Sequence, residues 1–199
     1  MREFLLPLLL SARVVTRYCL PEGCSELPIL RCVQYVAARE VPETQDQFYK
    51  RWLLNETSEL AASRGDLTTL RWLMECYLPV EPVENVVGKA AANGQFEILQ
   101  WLYDQQRERV RFRDVEMCGA LENKHENVVA WLRENAVPRT EYREEVLCSA
   151  VKAGNLDVVR WLCDEFGLDA TGMLKFAING CHEETARWVI DRYDVSGEN

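Results

Sequence analysis

Apolar positions in this chain follow two nested periods. The short period is helical. Two residues before the tryptophans Trp72, Trp101, Trp131, Trp161 and Trp188 stand Leu70, Leu99, Val129, Val159 and Ala186, and one residue after stand Leu73, Leu102, Leu132, Leu162 and Val189. That i, i+3 spacing puts both columns on one helical face, and Leu67, Phe96 and Leu156 extend the stripe one turn earlier. Ile98, Val128 and Val158, three residues before their tryptophans, place the indole on a neighbouring face. A helix apolar on two sides is suited to lie sandwiched between neighbours, so the tryptophans are read as core. The long period is the spacing of the tryptophans themselves, 29, 30, 30 and 27 residues. Repetition on that scale predicts stacked supersecondary units, an all-α fold of the α-solenoid kind.

Within each unit a second column precedes the tryptophan by eleven residues, and it is always alanine: Ala61, Ala90, Ala120, Ala150 and Ala177. A small residue is needed where the backbones of layered helices come closest. Between the alanine helix and the tryptophan helix, Gly65, Gly94 and Gly154 predict a left-handed turn, with Asp66 and Asn155 as N-caps of the second helix. Lys124 and Cys181 occupy the glycine column in the other two copies. A side chain in a left-handed turn costs about 1 kcal/mol, so those two turns are expected to deviate.

The pattern divides the chain into an N-terminal helical cap over residues 1–47 and five units at about 48–78, 79–107, 108–136, 137–166 and 167–199. The cap contains a degenerate copy, LRCVQYVA at Leu30 to Ala37, with Tyr35 in the tryptophan column. Phe48 to Ser63 reads as a long first helix. Glu183, Glu184, Arg187, Asp191 and Arg192 make the last helix polar, as a terminal repeat requires, and Val195 to Asn199 reads as a frayed tail.

A hydrophobic fraction of 48% with 28% charged residues fits a folded chain rather than a disordered one. The net charge of −9 disfavours capture of nucleic acid, which needs clustered Lys and Arg. Eight cysteines are placed by repeat position rather than as a disulfide framework, and Cys118 and Cys148 share one column. That predicts reduced thiols, many of them buried, and an intracellular, cytoplasmic protein. Cys19 and Cys24 form a lone C-x4-C, short of the four ligands of a structural zinc site. Arg2 followed by the apolar run Phe4 to Leu10 mimics a short signal sequence, but Pro7 interrupts it and no A-x-A site follows. Its alternative is an opening helix that covers the first repeat, and the run is too short to span a bilayer.

The string A-A-x-x-G-x-x-x-x-[VIL]-x-x-L on paired helices resembles the ankyrin repeat, most closely the variant whose second helix carries V-x-W-L, as in VVRWL at Val158 to Leu162. The likeness covers about residues 48 to 195. It departs from the family in lacking the T-P-L-H opening. Val86-Val87, Glu116-Met117, Val146-Leu147 and Met173-Leu174 stand before the alanines instead, so short or missing β-hairpin fingers are expected. Tetratricopeptide repeats are the runner-up, but their tryptophan belongs near the start of the first helix.

The resemblance implies a non-catalytic scaffold that recognises a protein or acidic peptide through inter-repeat loops and the first-helix face. It is expected to act as a monomer, without cofactor, metal, nucleic acid or membrane. A secreted effector or host-interaction protein on the same scaffold is the alternative. The sequence offers no phosphate loop, nucleophile elbow or HExxH, and in the adjacent pair Cys181-His182 the side chains diverge. The loop carrying Arg107, Arg109, Arg111, Phe112 and Arg113 is the candidate binding site, since four arginines and a ring suit bidentate pairing and stacking on an acidic segment.

Overall fold

The polar turns do separate helices. The computed structural model describes residues 31, 33, 34, 37, 38, 47–112, 115–136 and 138–193, and among them the regular structure is helical, with no strand. The expectations for the apolar run at Phe4 to Leu10, for Cys19 and Cys24, for the tail and for most of the cap lie outside the described residues. Of the degenerate copy, Arg31, Val33, Gln34 and Ala37 are helical and Val33 is fully buried.

Ten helices are described: α1 (Gln47–Arg64), α2 (Leu67–Trp72), α3 (Val86–Ala92), α4 (Phe96–Gln105), α5 (Val115–Glu122), α6 (Glu126–Asn135), α7 (Arg143–Ala153), α8 (Leu156–Phe166), α9 (Leu174–Asn179) and α10 (Glu183–Tyr193). A π-helical turn, Leu73–Tyr77, continues α2, and 3-10 turns at Thr140–Tyr142 and Thr171–Met173 lead into α7 and α9. The chain divides into two compact units, Met1–Ala90 with Glu97–Arg111, and Ala91–Phe96 with Phe112–Asn199. In the first unit α1 packs on α2 and its π-helical extension. In the second, α5 packs on α7 and α7 on α9, each first helix pairs with the second helix that follows it, and α8 meets α10.

All five column alanines are completely buried. Close approach is visible directly at Gly119 of α5, where an added Cβ would sit 3.2 Å from the Ala92 Cβ. The alanines also close the turns. The Ala61 carbonyl accepts the Asp66 N–H at 2.9 Å, Ala120 that of His125 at 2.9 Å, Ala150 that of Asn155 at 3.0 Å, and Ala177 that of His182 at 2.9 Å. This is the six-to-one bond that ends a helix through a left-handed residue.

Lys124 and Cys181 adopt that left-handed conformation as well, with φ of 60° and 57°, beside 77°, 70° and 75° at the column glycines Gly65, Gly94 and Gly154. The expected deviation does not occur. The turn's two backbone bonds, including Lys124 N–H to Leu121 O at 3.1 Å and Cys181 N–H to Ile178 O at 3.0 Å, hold the geometry in place of glycine. Cys181→Gly should therefore raise stability by about 0.5–1 kcal/mol, read as a higher denaturant midpoint. An unchanged or lowered midpoint would mean the turn carries no strain.

The caps fall as the sequence indicates: Asp66 Oδ1 accepts the Thr69 N–H at 2.9 Å and Asn155 Oδ1 accepts the Val158 N–H at 3.1 Å. The two remaining second-unit turns use histidine differently. His125 Nε2–H donates to the Ala92 carbonyl at 3.1 Å and His182 Nε2–H to the Lys152 carbonyl at 2.8 Å. Each ring lies over the glycine of the preceding turn: a Cβ on Gly94 would meet His125 Nδ1 at 2.6 Å, and one on Gly154 would collide with His182 Nδ1.

The tryptophan column is more varied than a uniform core. Trp101 and Trp161 are buried, while Trp72, Trp131 and Trp188 are half-buried. Trp161 donates to Glu165 Oε2 at 2.5 Å and Trp101 to Gln105 Oε1 at 3.0 Å, so the indole N–H groups are served one turn along their own helices. At the end of the chain, Arg192 pairs with Asp164 at 2.6 Å and the Tyr193 hydroxyl donates to the Leu168 carbonyl at 3.0 Å, fastening α10 to the α8 hairpin.

Candidate partner-binding surfaces

Proline determines what happens at the arginine loop. The π-helical turn after α2 closes with the Leu78 N–H on the Leu73 carbonyl at 3.2 Å. Pro79 and Pro82 follow, and neither has an N–H to give back to the carbonyls around it. The side chain of Arg109 supplies the missing donors. Its Nη1 donates to Met74 O and, at 3.3 Å, to Gln106 Oε1. Its Nη2 donates to Leu78 O at 2.7 Å and Glu81 O at 2.8 Å, and Nε reaches Glu81 O at 3.1 Å. The Arg109 carbonyl in turn accepts the Val83 N–H at 3.1 Å. Burial lowers the pKa of this guanidinium from its ordinary value, and the Glu81 carboxylate opposes that shift. Glu81 itself is held by both Nε and Nη2 of Arg51, at 2.8 and 2.9 Å.

Arg109, expected at a partner contact, thus has every donor committed to its own chain and anchors the loop. Arg107 is exposed, with its guanidinium 4.5 Å from the Tyr103 ring centroid and a 3.3 Å bond to the Tyr103 hydroxyl. Arg111 is exposed and makes no hydrogen bond or ion pair with any described residue. Phe112 is half-buried, its ring 6.2 Å from that of Trp131, and so serves packing in the second unit. Arg113 lies outside the described residues. Of the five residues, Arg107 and Arg111 remain as exposed cations.

A second surface lies wholly within the second unit. An open groove of about 1010 Å³ crosses α6, α8 and α10, floored in part by Val129, Leu156 and Trp188. Lys124, Arg133, Arg160 and Arg187 line it together with Glu126, Asp157, Glu184 and Asp191, so its charges are balanced. The sequence carried a signal for this surface. The position before each tryptophan reads Arg71, Gln100, Ala130, Arg160 and Arg187, so one small residue interrupts a polar row.

Among the described residues no three of His, Cys, Asp and Glu are grouped as metal ligation would need. The five cysteines there are free. Burial raises the thiol pKa of Cys118, against a hydrogen bond with Ser149, and that of Cys163, against one with Tyr193. Raised thiols are poor nucleophiles, so both act as apolar packing. No helix among the described residues is long and apolar enough to cross a membrane.

No protein-family model and no curated protein matches this chain.

Proposed function

We propose that this chain is a non-catalytic protein-binding scaffold, an α-solenoid of ankyrin-like repeats, which grips an acidic segment of a partner protein through the 107–111 loop and the first-helix faces. The observation that carries the reading is the division of labour among the arginines. Arg109 fixes the loop to backbone carbonyls, so Arg107 and Arg111 are displayed on a segment whose ordering entropy is already spent in folding. Preorganised cations of this kind favour binding by lowering its entropic cost. The repeated helix pairs, identical in their alanine columns and left-handed turns, support the ankyrin-like assignment. A reducing, intracellular setting accords with the free thiols of the described cysteines.

The test is affinity capture from a cell lysate with mass spectrometry, comparing wild type with the Arg107→Glu, Arg111→Glu double variant. Arg109 is left intact so that the fold is not disturbed. At least one protein captured by the wild type is expected to be lost from the variant. Identical captured sets would remove the loop from the binding surface.

A further inference from the structure

The last helix pair keeps an interior face open. One residue after the column alanines stand Ala62, Ala91, Leu121 and Val151, each at most 1% exposed, and then Ile178, which is 58% exposed. Three residues before the alanines, Ser58, Val87, Met117 and Leu147 are buried, whereas Leu174 is half-buried. Two residues before the tryptophans, Leu70, Leu99, Val129 and Val159 are buried, whereas Ala186 is half-buried. All three columns are closed in the units that another unit follows, and among the described residues no helix follows α10. The polar side chains of α10 do not seal α9. A sealing residue would be polar, and Ile178 is as large an aliphatic side chain as any in its column.

Contacts between successive units define the chemistry that closes such a face. Two residues after their alanines, Ala92 and Lys152 meet the residue just before the next alanine. A Cβ on Gly119 would stand 3.2 Å from the Ala92 Cβ, and Lys152 Nζ lies 5.1 Å from the Phe176 ring centroid. In α9 that position is Asn179, which is exposed. Each second helix in turn covers the next tryptophan. The Arg71 guanidinium lies 5.7 Å over Trp101 and that of Arg133 5.1 Å over Trp161, while the Phe96 ring meets Trp131 edge-on at 6.2 Å. The equivalent positions of α10 are Arg187, Ile190 and Glu183, with Arg187 paired to Glu183. An indole seated there would meet a guanidinium and an aliphatic side chain, as the tryptophans of this chain do.

The turn before α10 narrows the occupant further. His125 and His182 stack behind Gly94 and Gly154, whereas Asn155 stacks behind Lys124, whose left-handed turn carries a side chain. Cys181 is also left-handed and also carries one. A histidine in an incoming turn would meet its Cβ, as His125 would meet one on Gly94 at 2.6 Å.

We infer that the open face of α9 and α10 is a docking surface for one helix pair of a partner protein. The pair is an ankyrin-like unit with a small residue against Asn179, a tryptophan against Arg187 and Ile190, and asparagine or aspartate rather than histidine opening its second helix. The inference rests on the repeat reading but not on the 107–111 loop. Its geometry continues the interfaces that already join α7 to α9 and α8 to α10. An extended polar segment would leave Ile178 in water and so would not close the face.

The experiment tethers a probe unit to the full chain. A Gly/Ser linker of about 20 residues, spanning about 25 Å, follows Asn199 and leads to a second copy of residues 137–166, the unit that already stacks behind Lys124. Tethering sets an effective concentration of about 1 mM. Docking should shift the methyl resonances of Ile178 and Ile190 and raise the melting temperature by about 3 °C. Asn155→Asp in the copy should dock as well, while Asn155→His or Trp161→Ala there should each lower the docking constant about tenfold. Ile178→Glu in the host should abolish the Ile190 shift yet leave the melting temperature of the untethered chain unchanged, since Ile178 is exposed. Unshifted methyls with the unaltered probe would overturn the proposal. So would equal docking of the Asn155→His probe, or an Ile190 shift that survives Ile178→Glu. Sedimentation of the untethered chain covers the other occupant, since a dimer dispersed by Ile178→Glu would assign the face to a second copy and overturn the partner reading. The Arg107→Glu, Arg111→Glu host should dock the probe as the wild type does, which separates failure of the loop from failure of this face.

Discussion

Arg109→Ala is expected to destabilise the protein by about 3 kcal/mol, while Arg107→Ala and Arg111→Ala each change stability by less than about 0.5 kcal/mol. All three belong to one run of alternating arginines, and their chemistry is identical. The difference arises from what each guanidinium touches. Removing Arg109 strips donors from the carbonyls of Met74, Leu78 and Glu81 at once. Pro79 and Pro82 offer no N–H to the loop that would replace them. A charged donor to a buried acceptor contributes about 1.5–3 kcal/mol, and leaving the acceptor bare adds its desolvation penalty. Lysine should not rescue, because one ammonium cannot span three carbonyls held by a planar fork. Chemical denaturation of the four proteins, with Arg109→Lys included, measures this. Equal midpoints across the series would mean that the loop carbonyls are served by water and that Arg109 is a surface residue.

Ala150→Trp should be more damaging still, at about 4 kcal/mol or more, which for a marginally stable domain means loss of the folded state. Ala150 is fully buried in α7, which packs against α5 on one side and α9 on the other. An indole there has no cavity to enter and must push layered helices apart. The carbonyl of the same residue closes the turn to Asn155 at 3.0 Å, so displacement of the helix also disrupts the left-handed cap. Ala150→Gly separates the two contributions. It keeps the space and should cost about 1 kcal/mol, the helix-propensity difference alone. Thermal melts followed by circular dichroism report both variants. Comparable small shifts for Ala150→Trp and Ala150→Gly would refute the close-packed layer at this column.

How much of this was legible in the sequence depended on the range of the interaction. The alanine column, the paired helices and the Asp66 and Asn155 caps follow from spacings within one unit, and the structure places them there. The left-handed Lys124 and Cys181 were misjudged because propensity treats a turn as isolated, whereas here two backbone bonds per turn outweigh a penalty of about 1 kcal/mol. Thr69 and Thr185, fully or almost fully buried in the column of Ile98, Val128 and Val158, were passed over for being polar. Thr69 satisfies its hydroxyl on Asp66 Oδ2 at 2.5 Å, a local bond that hydropathy does not register. The role of Arg109 was out of reach for a different reason. Its acceptors lie 28 to 35 residues earlier, and their need for a donor depends on a π-helical turn that no periodicity announces.

The histidine rings impose a grammar on the order of the repeats. His125 and His182 each lie over a glycine in the turn before, and a Cβ there would force the ring to turn away and give up its bond to the Ala92 or Lys152 carbonyl. A histidine unit therefore keeps its bond to the preceding turn only behind a glycine unit, and the units are not interchangeable beads. Removing residues 137–166 alone would bring His182 behind Lys124, whose Cβ would displace the ring from its carbonyl. Removing 108–166 would set it behind Gly94, which is permitted. In this part of the chain the structural module is a couplet, and lengthening or shortening by an even number of units preserves the rhyme.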